Sequence, residues 1–240
     1  MLLAHGVLGF DRIQVGGKSQ AYFRGVPEAL ARQGVPVHLV RVPGLASVAE
    51  RAEHLARAVR AIDARKVNVI AHSMGGLDAR YAVSVLGLSA KVASLTTIGS
   101  PHRGTPLADL GTGFFGDTLR LRALFERLGL DLSAFYDLTT QRMAAFNAAV
   151  PDVKGISYGC YVGHLPTGPR GSSSLFWPAY RYLHGKAGEN DGLVPVSSQR
   201  WGEVLGEIEA DHWGQIGWST SFDAPGFYEQ VLAELRGRGL

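Results

Sequence analysis

Short apolar, β-branched runs alternate with amphipathic stretches along this chain, and that alternation limits the folds open to it more than any other feature. The strand candidates are Leu2–Ala4, Val35–Val40, Val67–Ala71, Val92–Ile98, Ile156–Val162 and Gly206–Ala210. Several are apolar at successive positions, which suits strands covered on both faces, as in a parallel sheet. Helix candidates lie between them. Ser19–Gln33 ends at Gly34, a helix-stop signal. Ser47–Asp63 opens with the capping box Ser47-Val48-Ala49-Glu50 and carries an apolar stripe at Val48, Leu55, Ala58, Val59 and Ile62. Gly75–Leu86 ends at Gly87, and Pro225–Leu235 starts near a proline and stops before Gly237. Strand, helix, strand, helix predicts right-handed βαβ units wound into a mostly parallel sheet with helices on both faces.

The rhythm breaks between Pro106 and Pro151, which holds no good strand. Leu119, Leu121, Leu124, Phe125 and Leu128 form one apolar helical face, and Met143, Phe146 and Val150 suggest another. The segment 106–151 therefore reads as a helical insertion over the sheet of one domain spanning 1–240. Gly163–Gly188, rich in Gly, Pro, Ser and aromatics, reads as a long loop.

Composition excludes several classes. A chain of 240 residues buries roughly 70–75% of its unfolded surface without staples. The single cysteine, Cys160, forbids an intramolecular disulfide and any Cys-rich zinc site, and its strand-like neighbours mark it as a core residue. Net charge is +3, with no basic block, so nucleic acid is not an expected partner. No apolar run approaches the ~18 residues of a membrane span. The first residues carry no charged leader region. The chain as given is expected in the cytoplasm, or outside the cell if a leader has been removed.

The sharpest local signal is Val67-Asn68-Val69-Ile70-Ala71-His72-Ser73-Met74-Gly75-Gly76. An apolar run meets a serine, two glycines and a helix, the strand–turn–helix setting of a nucleophile elbow. Small residues at Ala71 and Gly75 let strand and helix pass closely. The turn lifts the Ser73 hydroxyl above the strand's C-terminal end, where open α/β sheets bind ligands, and the helix N-terminus favours developing negative charge. An ordinary glycine-rich turn with a capping serine is the plainer alternative.

Acyl transfer needs two N–H donors aimed at an oxyanion. Met74, after the nucleophile, supplies one. The strand ending in His5-Gly6-Val7-Leu8-Gly9-Phe10 offers Val7 as the other, although His-Gly after a strand also reads as a plain turn. Ser73 needs a general base. His38 and His54 sit inside a strand and a helix. His72 adjoins Ser73, but neighbours along a strand point to opposite faces. His5 lies in the loop and buttresses it. His212, before the last helix, fits the order Ser…Asp…His, and His102 is its competitor. Asp191, in Glu189-Asn190-Asp191-Gly192-Leu193-Val194-Pro195, suits the orienting carboxylate. It also reads as a β-turn Asp-Gly, and Asp211 and Asp152 are the other acids weighed.

These residues resemble the bacterial triacylglycerol lipases of family I. The matching pieces are His5-Gly6-Val7-Leu8-Gly9-Phe10, Tyr22-Phe23-Arg24-Gly25-Val26-Pro27-Glu28-Ala29-Leu30, Lys66 to Gly76, Ala93 through Gly104, Leu138-Thr139-Thr140 and Asn190 through Pro195, in the same order. The resemblance implies an α/β-hydrolase fold, with Ser73 as nucleophile, Asp191 as acid, His212 as base, and the Val7 and Met74 amides as oxyanion hole. It implies that 106–151 is a lid, with Phe114, Phe115, Leu119, Phe125 and Leu128 as candidates to meet substrate. It implies an ester or lipid substrate, met at a lipid–water interface, and no cofactor. Calcium-binding members carry an aspartate two positions after the base histidine. Here that position is Gly214, so no metal is expected. A short-chain esterase or polyester depolymerase with the same triad, and a non-catalytic binding protein of the same fold, are the alternatives.

Overall fold

The computed structural model describes residues 1–7, 12–15, 18–116, 133–165, 174, 176–219 and 221–240; for 12–15, 18–20 and 112–116 it describes the backbone alone. Strands β1 (Leu2–Ala4), β4 (His38–Leu39), β5 (Val67–His72), β6 (Val92–Ile98), β7 (Ser157–His164) and β8 (Glu203–Glu209) form one sheet in the order β4-β1-β5-β6-β7-β8. Every pairing in it is parallel. The pleat divides each central strand between two layers. Leu2, Ala4, Val67, Val69, Ala71 and Leu95 pack against α2 (Val48–Ala61) and α3 (Gly75–Ser84). Leu3, Ile70 and Ile98 pack against α1 (Val26–Arg32) and α9 (Ala224–Gly237). Successive positions are apolar because each face has its own helical cover.

The start of α2 follows the sequence closely: Ser47 Oγ accepts from the Glu50 amide at 3.3 Å. The helix expected over Ser19–Gln33 is shorter. Residues Lys18–Ala21 form β3, antiparallel to β2 (Arg12–Val15), and α1 begins only after Gly25, whose φ of 71° places it in the left-handed region. Gly25 turns the chain at modest cost, and Pro27 in the first turn blocks extension of the helix toward the N-terminus. The first strand of the sheet's far edge keeps only His38–Leu39 of Val35–Val40, both exposed. Strand β8 starts earlier than expected, at Glu203.

The loop expected over Gly163–Gly188 contains α7 (Trp177–Ala187). Pro178 sits in its first turn, and Tyr180 and Leu183, three residues apart, form its buried side. The Gly- and Ser-rich residues before it had hidden that pattern. Asp191 accordingly follows a helix and precedes the short α8 (Val196–Gln199).

The 106–151 segment is helical where described: α4 (Pro106–Gly116), α5 (Ser133–Asp137) and α6 (Thr140–Ala149). Ala108, Ala134, Leu138 and Met143 join Val48, Met74 and Leu77 in a third apolar cluster beside the nucleophile turn. Leu119, Phe125 and Leu128 lie outside the described residues, as do Leu8, Gly9 and Phe10, and the side chains of Phe114 and Phe115 are not described. Among the described residues no helix is long and apolar enough to cross a membrane.

Candidate active site

Ser73 is the sole described non-glycine residue with positive φ, at 56°. β5 ends one residue earlier and α3 starts two residues later, so the turn between them must be sharp. The close approach is literal. A Cβ on Gly75 would lie 2.7 Å from the Ala4 carbonyl oxygen, and one on Gly6 would lie 2.6 Å from Ser73 Cβ. Glycines at both positions let the β1 loop and the α3 N-terminus converge on the serine.

His212 Nε2 lies 2.9 Å from Ser73 Oγ, and His212 Nδ1 lies 2.7 Å from Asp191 Oδ2. The structure thus joins three residues read from separate motifs, 139 positions apart at the extremes. All three are buried. Asp191 Oδ1 accepts from the amides of Leu193 at 3.0 Å and Val194 at 2.8 Å, and Oδ2 also accepts from Gln215 Nε2 at 3.0 Å. These donors replace the water that the buried carboxylate has lost.

The competing residues are occupied elsewhere. His102 packs between Thr97 Oγ1 (3.1 Å) and Arg80 (3.4 Å), and burial together with Arg80 and Arg103 holds its imidazole well below its ordinary range. Asp211 Oδ1 accepts from the Trp213 and Gly214 amides, closing the turn that follows His212. Asp152 accepts from the Trp201 indole.

Met74 directly follows the serine, and Val7 packs against the apolar cluster that holds Met74. The Gly6 backbone touches Ser73, and neither the Val7 nor the Met74 amide donates to another described residue. His5 supports the loop: its Nδ1 lies 3.0 Å from the Gly6 carbonyl, and its Nε2 accepts from the Val42 amide at 3.3 Å.

His72 corrects the sequence reading. Its ring centroid lies 4.6 Å from that of His212, on the same side as the site. Strict alternation applies within a strand, and the left-handed Ser73 ends it one residue after His72. Tyr22 Oη lies 2.8 Å from His72 Nδ1 and accepts from the Gly6 amide at 3.0 Å. Burial, with His212 beside it, pushes the His72 imidazole well down, so it stays neutral.

The sequence also missed Arg51. This residue of α2 is fully buried. Its Nε donates to Asp78 Oδ2 at 2.9 Å, and its other nitrogens donate to the carbonyls of His5 (2.8 Å), Gly6 (3.2 Å) and Pro43 (2.9 Å). One guanidinium therefore ties α2, α3 and the loop carrying Val7. Burial pushes the Asp78 carboxyl up to about 6 against the pull of Arg51, which leaves the pair ionised at neutral pH. Asn190 and Gln199 pin the Asp191 loop through Gly192, Gly188, Gly163 and Val194. A helix position in a basic-looking stripe carries no local signal of such a role, because its partners come from three other elements.

The model of the alpha/beta hydrolase fold family matches residues 1–197. The chain belongs to that family. This α/β hydrolase is 38% identical over 241 residues to a triacylglycerol lipase of Vibrio cholerae, which covers 85% of the chain and 75% of that protein. It is 35% identical over 214 residues to triacylglycerol lipase 2 of Saccharomyces cerevisiae, covering 83% of the chain and 63% of that longer protein. Among solved structures, it superposes on a mature Bacillus licheniformis lipase with a TM-score of 0.77 at 22% identity, over 98% of the chain and 90% of that one. A Staphylococcus hyicus lipase matches at 0.74 and 18%, over 98% and 94%. At these identities the structures show a shared fold.

Proposed function

We propose that this α/β hydrolase is a serine carboxylic-ester hydrolase acting on acylglycerols, with Ser73, Asp191 and His212 as its triad. The observation that carries the reading is the continuous contact Ser73 Oγ–His212 Nε2–Asp191 Oδ2, at 2.9 and 2.7 Å. Ser73 Oγ attacks the ester carbonyl carbon while His212 Nε2 takes the hydroxyl proton. Asp191 steadies the imidazolium and keeps the Nδ1–H tautomer. The carbonyl oxygen becomes an oxyanion facing the Val7 and Met74 amides, each worth about 3 kcal/mol in the transition state. Collapse expels the alcohol, which leaves with the proton from His212. Water then attacks the acyl-Ser73, giving its proton to His212, and release of the carboxylic acid restores Ser73.

The lipid end of the reading rests on the relatives named triacylglycerol lipase. Trp213, 45% exposed directly after His212, meets Phe176 edge-on at 4.9 Å and adds apolar surface near the base for an acyl chain. Segment 106–151 would act as the cover over that surface. Replacing Ser73 with alanine is expected to lower p-nitrophenyl ester hydrolysis by at least about 10⁴-fold and to abolish labelling by a fluorophosphonate. Retained turnover refutes the triad. A series from acetate to long acyl esters, with and without emulsion, tests the lipid assignment. Highest rates on short soluble esters would make the protein a short-chain esterase.

A further inference from the structure

Gln215 lies three residues beyond His212, in the short turn Gly214–Ile216, and is fully buried. Its Nε2 donates to Asp191 Oδ2 at 3.0 Å. The reverse amide orientation would set oxygen against carboxylate oxygen, so the acid dictates which end of the amide faces it. The Gln215 side chain also hydrogen-bonds the buried His72 imidazole. The amide fits only because two backbones make room. A Cβ on Gly99, just after β6, would strike Gln215 Oε1, and one on Gly163, in β7, would strike Gln215 Nε2.

The two backbone donors to Asp191, from Leu193 and Val194, both reach Oδ1. Oδ2, the oxygen facing His212, has one other described donor, Gln215 Nε2. Without it the carboxylate is anchored at one oxygen and free to swing the other. We propose that Gln215 is a positioning residue of the hydrolytic reaction, holding Asp191 Oδ2 on the axis of His212 Nδ1. Its amide holds that oxygen through every step, whether His212 is neutral or protonated. His72 and Asp191 are the titratable neighbours that share this pocket with His212.

This inference rests on the hydrolase reading above, and the test separates the two. Gln215→Met keeps the length and removes the donor. Gln215→Asn keeps an amide but withdraws the donor by one methylene. In each variant that folds, kcat on a soluble ester is expected to fall roughly 10- to 100-fold with KM within about twofold. The acid limb of the pH–rate profile is expected to move up by about half a pH unit or more, since uncompensated negative charge on Asp191 favours the protonated base. A side chain that merely fills space would leave that limb in place. If Gln215→Met does not fold, Gln215→Asn decides. A folded variant with wild-type kcat and a superimposable profile overturns the role of Gln215 while leaving Ser73-dependent hydrolysis standing. Absence of Ser73-dependent hydrolysis in the wild type overturns both.

Discussion

Ser73 holds a backbone conformation that costs on the order of 1–3 kcal/mol, and its neighbours supply the restraint. The Ser73 amide donates to the Ile98 carbonyl at 2.9 Å, and Gly6 closes on the side chain from the other direction. Gly6→Ala places a methyl 2.9 Å from Ser73 Oγ. That variant is expected to lose about 100-fold in kcat through displacement of the loop or the serine, while a thermal melt still reports a cooperative fold. Wild-type kcat in Gly6→Ala would show that the loop does not need this approach. At this scale much of the candidate site was legible. A strand–serine–glycine junction has few structural uses, so Ser73 stood out, and chain order selected His212 and Asp191. The ring of His72 was misplaced because the rule applied to it ends at the very residue it was compared with. Gln215 was illegible, since its cradle is made of two glycines more than fifty positions from each other.

Arg51 joins elements rather than residues. Two charges leave water when α2 packs on α3, and the arrangement holds only because Asp78 and three carbonyls receive every edge of the guanidinium. Arg51→Leu strands Asp78 and releases the His5–Gly6 carbonyls together. It is expected to cost about 3–5 kcal/mol in stability, read as a lower urea midpoint. A loss below about 1 kcal/mol would mean that solvent reaches the pair. Among elements, α2 was readable from its cap and stripe, because both are local. The helix α7 was not, because its buried side consists of two residues meeting distant chain, and the β2–β3 hairpin was not, because strand pairing is a non-local event.

At the scale of the whole molecule, the buried histidines His72 and His102 and the raised carboxyl of Asp78 shape the acid response. Burial holds His72 and His102 well below the ordinary 6.5. The unfolded chain therefore takes up protons below about pH 6.5 that the folded one refuses. Stability is complete above that value and is lost as pH falls, by about 1 kcal/mol per pH unit for each histidine. Asp78 has the opposite sign. Its carboxyl is near 6 when folded against 3.8 ordinarily, so between those values the folded form holds the extra proton and offsets one histidine. The net expectation is a urea midpoint that declines between about pH 7.5 and about pH 5.5. A midpoint that stays level or rises over that interval contradicts the neutral-histidine assignment.

By itself the sequence determined the parallel, doubly covered sheet, since apolar runs without alternation can be buried only between two helical layers. It also determined which serine, acid and histidine to examine, since strained turns and chain order are written locally. Only the tertiary structure decided that these three touch, that Arg51 clamps the loop beside the nucleophile, and that Gln215 reaches the acid. Each of those contacts joins backbones or side chains from elements far apart in the chain, and no local pattern carries the distance between them.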